Sequence, residues 1–168
     1  MGEPDGADIR EGGCACGQAR FRASGGPIFV NNCHCRLCQR QTGGTSVVNA
    51  FYESERIELL QGKLTAHVVV AGSGGEHTIH RCENCGTALW SVYPRLGTLG
   101  FGVRVGTFDD PTAFRPDAAI FMESAMPWVT PPEGVPAFAQ TYAPQELLPP
   151  ERLARLMAMI ERRKAGEG

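Results

Sequence analysis

The sequence predicts a mainly β domain of antiparallel sheets joined by short connecting turns, with one C-terminal α-helix. Three observations lead there. From Gln18 to Val105 short apolar runs are broken by turn residues at close intervals. The 21 glycines and 12 prolines among 168 residues suit a turn-rich folded chain and oppose a helical bundle. Apolar residues at clear helical spacing occur only after Pro149-Pro150. The length fits one domain with its own core.

Taken in order, residues 1–10 read as a loose, charged and glycine-rich lead, residues 11–145 as the β domain, and residues 146–168 as the helix packed on it. Ala19–Ala23 and Pro27–Asn32 are strand candidates, with Ser24-Gly25-Gly26 as a hairpin-like turn between them. Ser46–Tyr52, Ile57–Leu60, Leu64–Ala71 and Glu76–Arg81 continue the pattern. Gly72-Ser73-Gly74-Gly75 makes a permissive hairpin loop, and Thr87–Tyr93 and Thr98–Val105 supply two more strands. Prolines keep Pro127–Pro132 irregular. A helix is expected from Pro150 to Lys164. Leu153, Leu156, Met157 and Ile160 form its apolar face, Glu151 lies early, and Arg162, Arg163 and Lys164 lie late, as the helix dipole favours.

Sixteen basic against 18 acidic residues leave a net charge of −2, so no positive field draws the chain to nucleic acid or to a membrane surface. No apolar run approaches the roughly 18 residues of a spanning helix. The first residues lack the basic and apolar blocks of a signal peptide. These features predict a cytoplasmic protein without nucleic-acid or membrane partners, and leave the oligomeric state open.

The seven cysteines carry the chemistry. An odd count cannot form a complete disulfide framework within one chain. Cys14-Ala15-Cys16-Gly17 and Cys82-Glu83-Asn84-Cys85-Gly86 each end in Cys-Gly. In each, two thiolates can grip one ion from one turn, while the glycine tolerates positive φ. Together the two turns make one closed tetrahedral four-thiolate zinc site.

Cys33-His34-Cys35-Arg36-Leu37-Cys38 offers three thiolates within six positions. On an extended entry Cys33 and Cys35 point to one side and His34 to the other, and Cys38 returns on the next turn. Three protein ligands leave a tetrahedral zinc ion one position for water or an incoming sulfur. Three alternatives stand beside this reading. The spacing Cys35-Arg36-Leu37-Cys38 suits a redox dithiol, though without the βαβ context. His34 or His80 is a candidate to close the site. Iron–sulfur ligation needs four cysteines per cluster, which fits poorly.

The pattern Cys14-x-Cys16-Gly17, Cys33-His34-Cys35-x-x-Cys38-Gln39-Arg40 with Gly43-Gly44, and Cys82-x-x-Cys85-Gly86 resembles the glutathione-dependent formaldehyde-activating (GFA) family, which also includes centromere protein V. Ile120-Phe121-Met122-Glu123-Ser124 with Pro127-Trp128 is similar to that family's C-terminal segment. The resemblance spans residues 11 to 130 and implies a zinc-bound β-tent. It also implies a structural zinc on Cys14, Cys16, Cys82 and Cys85, and a second zinc on Cys33, Cys35 and Cys38 whose open position the substrate uses. The implied activity is that of a carbon–sulfur lyase, joining glutathione and formaldehyde as S-hydroxymethylglutathione and cleaving the adduct. Arg36 and Arg40 would then pair with the carboxylates of the thiol. His77 and His80 are acid–base candidates, read otherwise as a solvent-facing pair on one strand face. Glu123 and Trp128 are placed at a pocket mouth, with a core position as the plainer account of Trp128. Arg81 stands before Cys82 where the family usually carries an aromatic residue. The rival to an enzyme is a non-catalytic zinc module that uses the three-cysteine site for redox sensing or partner binding.

Overall fold

The computed structural model describes residues 8–70 and 75–168. In chain order it contains β1 (Ile9–Gly13), β2 (Arg20–Ser24), β3 (Phe29–Cys33), α1 (Arg36–Thr42), β4 (Val47–Glu53), β5 (Ile57–Gln61), β6 (Leu64–Val70), β7 (Glu76–Cys82), β8 (Ala88–Val92), β9 (Gly100–Arg104), β10 (Ala118–Ile120), α2 (Pro144–Leu147) and α3 (Pro150–Lys164). Ten strands among the described residues form two sheets, one ordered β1-β2-β5 and the other β10-β3-β4-β9-β8-β7-β6. No helix among them is long and apolar enough to cross a membrane.

Strand pairing begins at Ile9, inside the lead expected to be loose, where β1 lies antiparallel to β2. In β2 the period of two is plain: Phe21 and Ala23 are fully buried, whereas Arg20 and Arg22 reach the carboxylates of Asp109 and Glu11. β2 already has β1 and β5 on its two edges, so β3 cannot pair with it. The expected hairpin at Ser24-Gly25-Gly26 is instead a crossing between sheets, with Gly25 at φ 77°. The glycine loop at 72–75 lies almost wholly outside the described residues, although β6 and β7 pair antiparallel on either side of it.

The main core packs the small sheet against the large one. Phe21 meets Trp90 edge-on at 6.0 Å and Phe108 at 5.1 Å, with Tyr52, Leu89 and Val103 buried around them. β4 is buried on both faces. Its Ala50 and Tyr52 face this core, while Phe51 turns to a second cluster with Leu96, Leu148, Leu156 and Met159. There α3 docks, spanning the range expected of it, with Met159 rather than Met157 as its buried methionine.

Three elements depart from the expected pattern. β10 pairs with β3 in parallel and closes one edge of the large sheet; three residues are too few to show a period. α2 is a single turn. α1 follows β3 directly and ends where Gly43 adopts φ 68° and its N–H bonds the Gln39 carbonyl.

Candidate metal centre and adjoining cavity

Two turns of similar build bring four sulfurs together. After β1, the Gly17 N–H closes on the Cys14 carbonyl at 3.0 Å; after β7, the Gly86 N–H closes on the Cys82 carbonyl at 2.9 Å. Both glycines are left-handed, at φ 76° and 75°. Cys14 and Cys16 Sγ lie 3.4 Å apart, Cys16 and Cys82 Sγ lie 3.9 Å apart, and all four sulfurs fall within 4.8 Å of one another. A tetrahedral ion with Zn–S bonds of about 2.3 Å needs sulfurs about 3.8 Å apart, so the donor set and its spacing fit zinc. The Ala19 N–H donates to Cys14 Sγ at 3.2 Å. The Thr87 hydroxyl, 3.1 Å from Cys85 Sγ, pulls that thiol down to about 5. Arg81 binds the Gly86 carbonyl at 3.0 Å and the Gln41 side chain on α1, so it ties this turn to the second cysteine group.

That group sits where β3 runs into α1. Cys33 ends the strand. Cys35 is the helix N-cap, its sulfur accepting the Cys38 N–H at 3.4 Å, and Cys38 lies in the first turn. Their sulfurs also lie within 4.8 Å of one another. Hydrogen bonds from Cys33 and Cys38 hold Cys35 far below the usual thiol range, while Cys33 is pushed up by its bond to Cys35. Three converging soft donors fit zinc, and among the described residues no histidine or carboxylate joins them. His34 points away and is buried with both ring nitrogens unpartnered. His80 packs at a tilt against Trp90 and Phe101.

The three cysteines line the base of a cavity of about 340 Å³. Asn31, Asn49 and His77 share that base, and Phe29, Phe51, Tyr93, Leu96, Ile120 and Phe121 form much of the wall. Tyr142, Leu148 and Leu156 close it from the C-terminal side. His77 is 1% exposed, stacks on Tyr93 at 4.3 Å, and has no hydrogen-bond partner on either ring nitrogen. Burial, helped by the charge of Arg104, pushes it down to about 4, so the ring is neutral near pH 7.

A polar row underlies this base. Asn31 faces Asn49 across β3 and β4, and Asn49 faces Arg104 across β4 and β9. Arg104 is 6% exposed and bonds Asn49 Oδ1, Ser91 Oγ at 2.8 Å and the Tyr93 hydroxyl at 3.5 Å. None of the ion pairs among the described residues includes it. The Cys38 thiol is pushed up on balance by Cys35 and by burial; its bond to Cys33 and, more weakly, the Arg104 charge act in the opposite direction. Arg104 was not expected, because a cation between Val103 and Val105 reads as the solvent side of a strand. Asn31, Asn49 and Tyr93 were missed for the same reason.

Several expected residues lie elsewhere. His77 and His80 are not a solvent-facing pair on one face: three positions apart, they fall on opposite faces of β7, and only His77 reaches the cavity. Arg36 and Arg40 are exposed on the side of α1 turned from Cys38 and do not line the cavity; Arg36 bonds Gln39 instead. Trp128 is 73% exposed, so it belongs neither to the core nor to the cavity, and Glu123 is a surface residue near Gln140. Phe121 of the same segment is the one positive-φ non-glycine residue among those described, at φ 56°, and its ring lines the cavity.

The sequence profile described as glutathione-dependent formaldehyde-activating enzyme matches residues 9–124. No curated protein matches the chain. A crystal structure of a Rhodobacter sphaeroides protein, a structural-genomics target, is similar at 19% identity with a TM-score of 0.46, covering 76% of this chain and 99% of that one. The profile takes in both cysteine groups and most of both sheets, and the chain belongs to the glutathione-dependent formaldehyde-activating family.

Proposed function

We propose that this protein is a zinc-dependent carbon–sulfur lyase-like enzyme that joins a thiol to a small aldehyde and cleaves the adduct. Glutathione and formaldehyde are the pair its family description names. One observation carries the reading: three sulfurs converge on the lining of an open cavity, apart from a complete four-sulfur group. Cys14, Cys16, Cys82 and Cys85 hold the structural ion, and Cys33, Cys35 and Cys38 hold the second. Bound by three thiolates, zinc supplies the Lewis acidity that keeps an arriving thiol deprotonated near neutral pH. A concave, mostly apolar cavity of about 340 Å³ suits a small molecule.

The surrounding residues supply the rest. Arg104 opposes the negative charge gathered on sulfur. His77, neutral and unpartnered at the base, takes the thiol proton and returns it to the carbonyl oxygen as the carbon–sulfur bond forms. Formaldehyde is reactive in itself, so holding the two partners together contributes most of the acceleration. Seven cysteines without a disulfide suit a reducing compartment and support a cytoplasmic location.

Metal analysis and carbon-13 NMR of labelled formaldehyde mixed with thiol test the proposal. The native chain should hold two zinc ions, one for each sulfur group. Cys35→Ser should lose one ion and the catalysed exchange while keeping its far-UV circular dichroism. A Cys35→Ser protein that holds both ions and turns over normally would overturn it.

A further inference from the structure

Resting on the three-cysteine reading above, we infer that the thiol taken at this site has an uncharged aromatic or branched-alkyl body, selected by residues 141–156. Glutathione carries two carboxylates and an ammonium group, and each needs water or an opposite charge when bound. The wall above the sulfurs is made of Phe29, Phe51, Leu96, Ile120, Leu148 and Leu156, none of which offers either. Arg95, exposed at the rim, is the one charged side chain among the lining residues described. Arg36 and Arg40 face outward. Arg104 bonds Asn49, Ser91 and Tyr93 and is not among the residues that line the cavity. A cavity of about 340 Å³ is at the small end for ligand sites.

Residues 141–156, which add Tyr142, Leu148 and Leu156 to the wall, lie outside the family match, which ends at residue 124. Tyr142 reaches Asn31 Oδ1 at 2.9 Å, and Leu148 and Leu156 extend the wall from either side of Pro149-Pro150. Two ion pairs hold this wall to the sheets: Arg152 to Asp117 and Arg155 to Glu53. Beside the sulfurs, Asn31, Asn49 and His77 offer polar atoms, and Tyr93, Thr141 and Tyr142 add uncharged hydroxyls; the rest of the lining, Arg95 apart, is apolar. That lining suits a ligand with one polar reacting end and an uncharged, mostly apolar remainder. The reaction is unchanged in kind: the sulfur pair enters the carbonyl carbon, the carbonyl π pair moves to oxygen, and that oxygen receives the proton sulfur gave up. Nothing is oxidised or reduced.

Titration calorimetry of the zinc-loaded full chain, free of oxygen, compares phenylmethanethiol with glutathione. Phenylmethanethiol should bind at least ~10-fold tighter, and Leu148→Glu should reduce that preference by ~10-fold or more, since it puts a charge into the apolar wall. The comparison on the native chain stands whether or not that variant folds. Glutathione binding as tightly as phenylmethanethiol, or more so, would overturn the inference and leave the thiol–aldehyde reading in place. Phenylmethanethiol binding Cys35→Ser as tightly as the native chain would overturn the thiol–aldehyde reading itself, and with it the assignment of this ligand as a sulfur donor.

Discussion

Arg155 grips both carboxylate oxygens of Glu53, donating from Nε to Oε1 at 2.7 Å and from Nη2 to Oε2 at 2.6 Å. Glu53 ends β4 and Arg155 sits mid-way along α3, so one bidentate pair fixes the C-terminal helix to the central strand that carries Asn49 and Phe51. Burial acts to raise the Glu53 carboxyl, but Arg155 outweighs it and holds the group below its ordinary value.

Removing that pair should loosen the wall of the cavity. Arg155→Met removes the bidentate partner of a half-buried carboxylate, leaving Arg56 at 3.2 Å as its remaining cation, and should cost about 1 kcal/mol in urea unfolding. A carboxyl lowered on folding contributes stability above its unfolded value of 4.5, and that stability is lost as pH falls through the lower folded value. The gap between native and Arg155→Met should therefore be full at neutral pH and shrink below pH 4.5. A gap that stays constant down to acid would detach Glu53 from this role.

His77 and His80 separate the two faces of one strand. His77→Gln should slow adduct formation by about 100-fold, the lower range for a positioned proton-transfer group, with zinc content unchanged. His80→Gln should leave the rate within about 2-fold of native, since its ring packs with Trp90 and Phe101. Saturation kinetics on the two variants, with metal counts, make the comparison. Equal losses would point to packing rather than proton transfer.

The buried cation beneath the cavity acts on the sulfurs through charge. Arg104→Met should weaken the three-cysteine site for zinc by about 10-fold, the scale of outer-shell effects on metal affinity. The four-cysteine site should keep its affinity. Competition with a chelator, read as two separate release steps, distinguishes them. If both steps shift together, Arg104 serves the fold as a whole.

The two metal sites should differ in what their loss does to the fold. Cys16→Ser should lower the unfolding temperature steeply, because its site joins segments 66 positions apart. Cys35→Ser touches sulfurs spread over six positions and should lower it far less. Thermal unfolding of each variant with its zinc content decides this, and a larger drop for Cys35→Ser would reverse the assignment of structural ion.

Much of this was legible in the sequence, and the reasons differ by element. The cysteine groupings were plain because a metal grip needs close spacing within a turn and only closure in space between turns. Strands such as β2 and β4 were found to within a residue or two, since turn residues bracket them. α3 was exact at both ends, marked by Pro149-Pro150 and its basic last turn. β10 was missed because its partner is 87 residues away and its three residues are apolar throughout. The polar row was missed because register across strands, not position along the chain, puts Arg104 against Asn49. Arg36 and Arg40 were misplaced because their run was read without the helix that α1 forms, which turns them from Cys38.

The distance between the halves of the four-sulfur group has a consequence for how the protein is made. Cys16 and Cys82 touch at 3.9 Å across a gap of 66 positions. A cross-link closing a loop of that size stabilises by about 4 kcal/mol in the chain-entropy description, a large part of what holds most domains together. Newly synthesised chains in a zinc-starved cell would lack that clasp during maturation, whereas molecules already assembled keep theirs. Scarcity of the metal should therefore show first as fewer mature copies, and only later as slower turnover per copy.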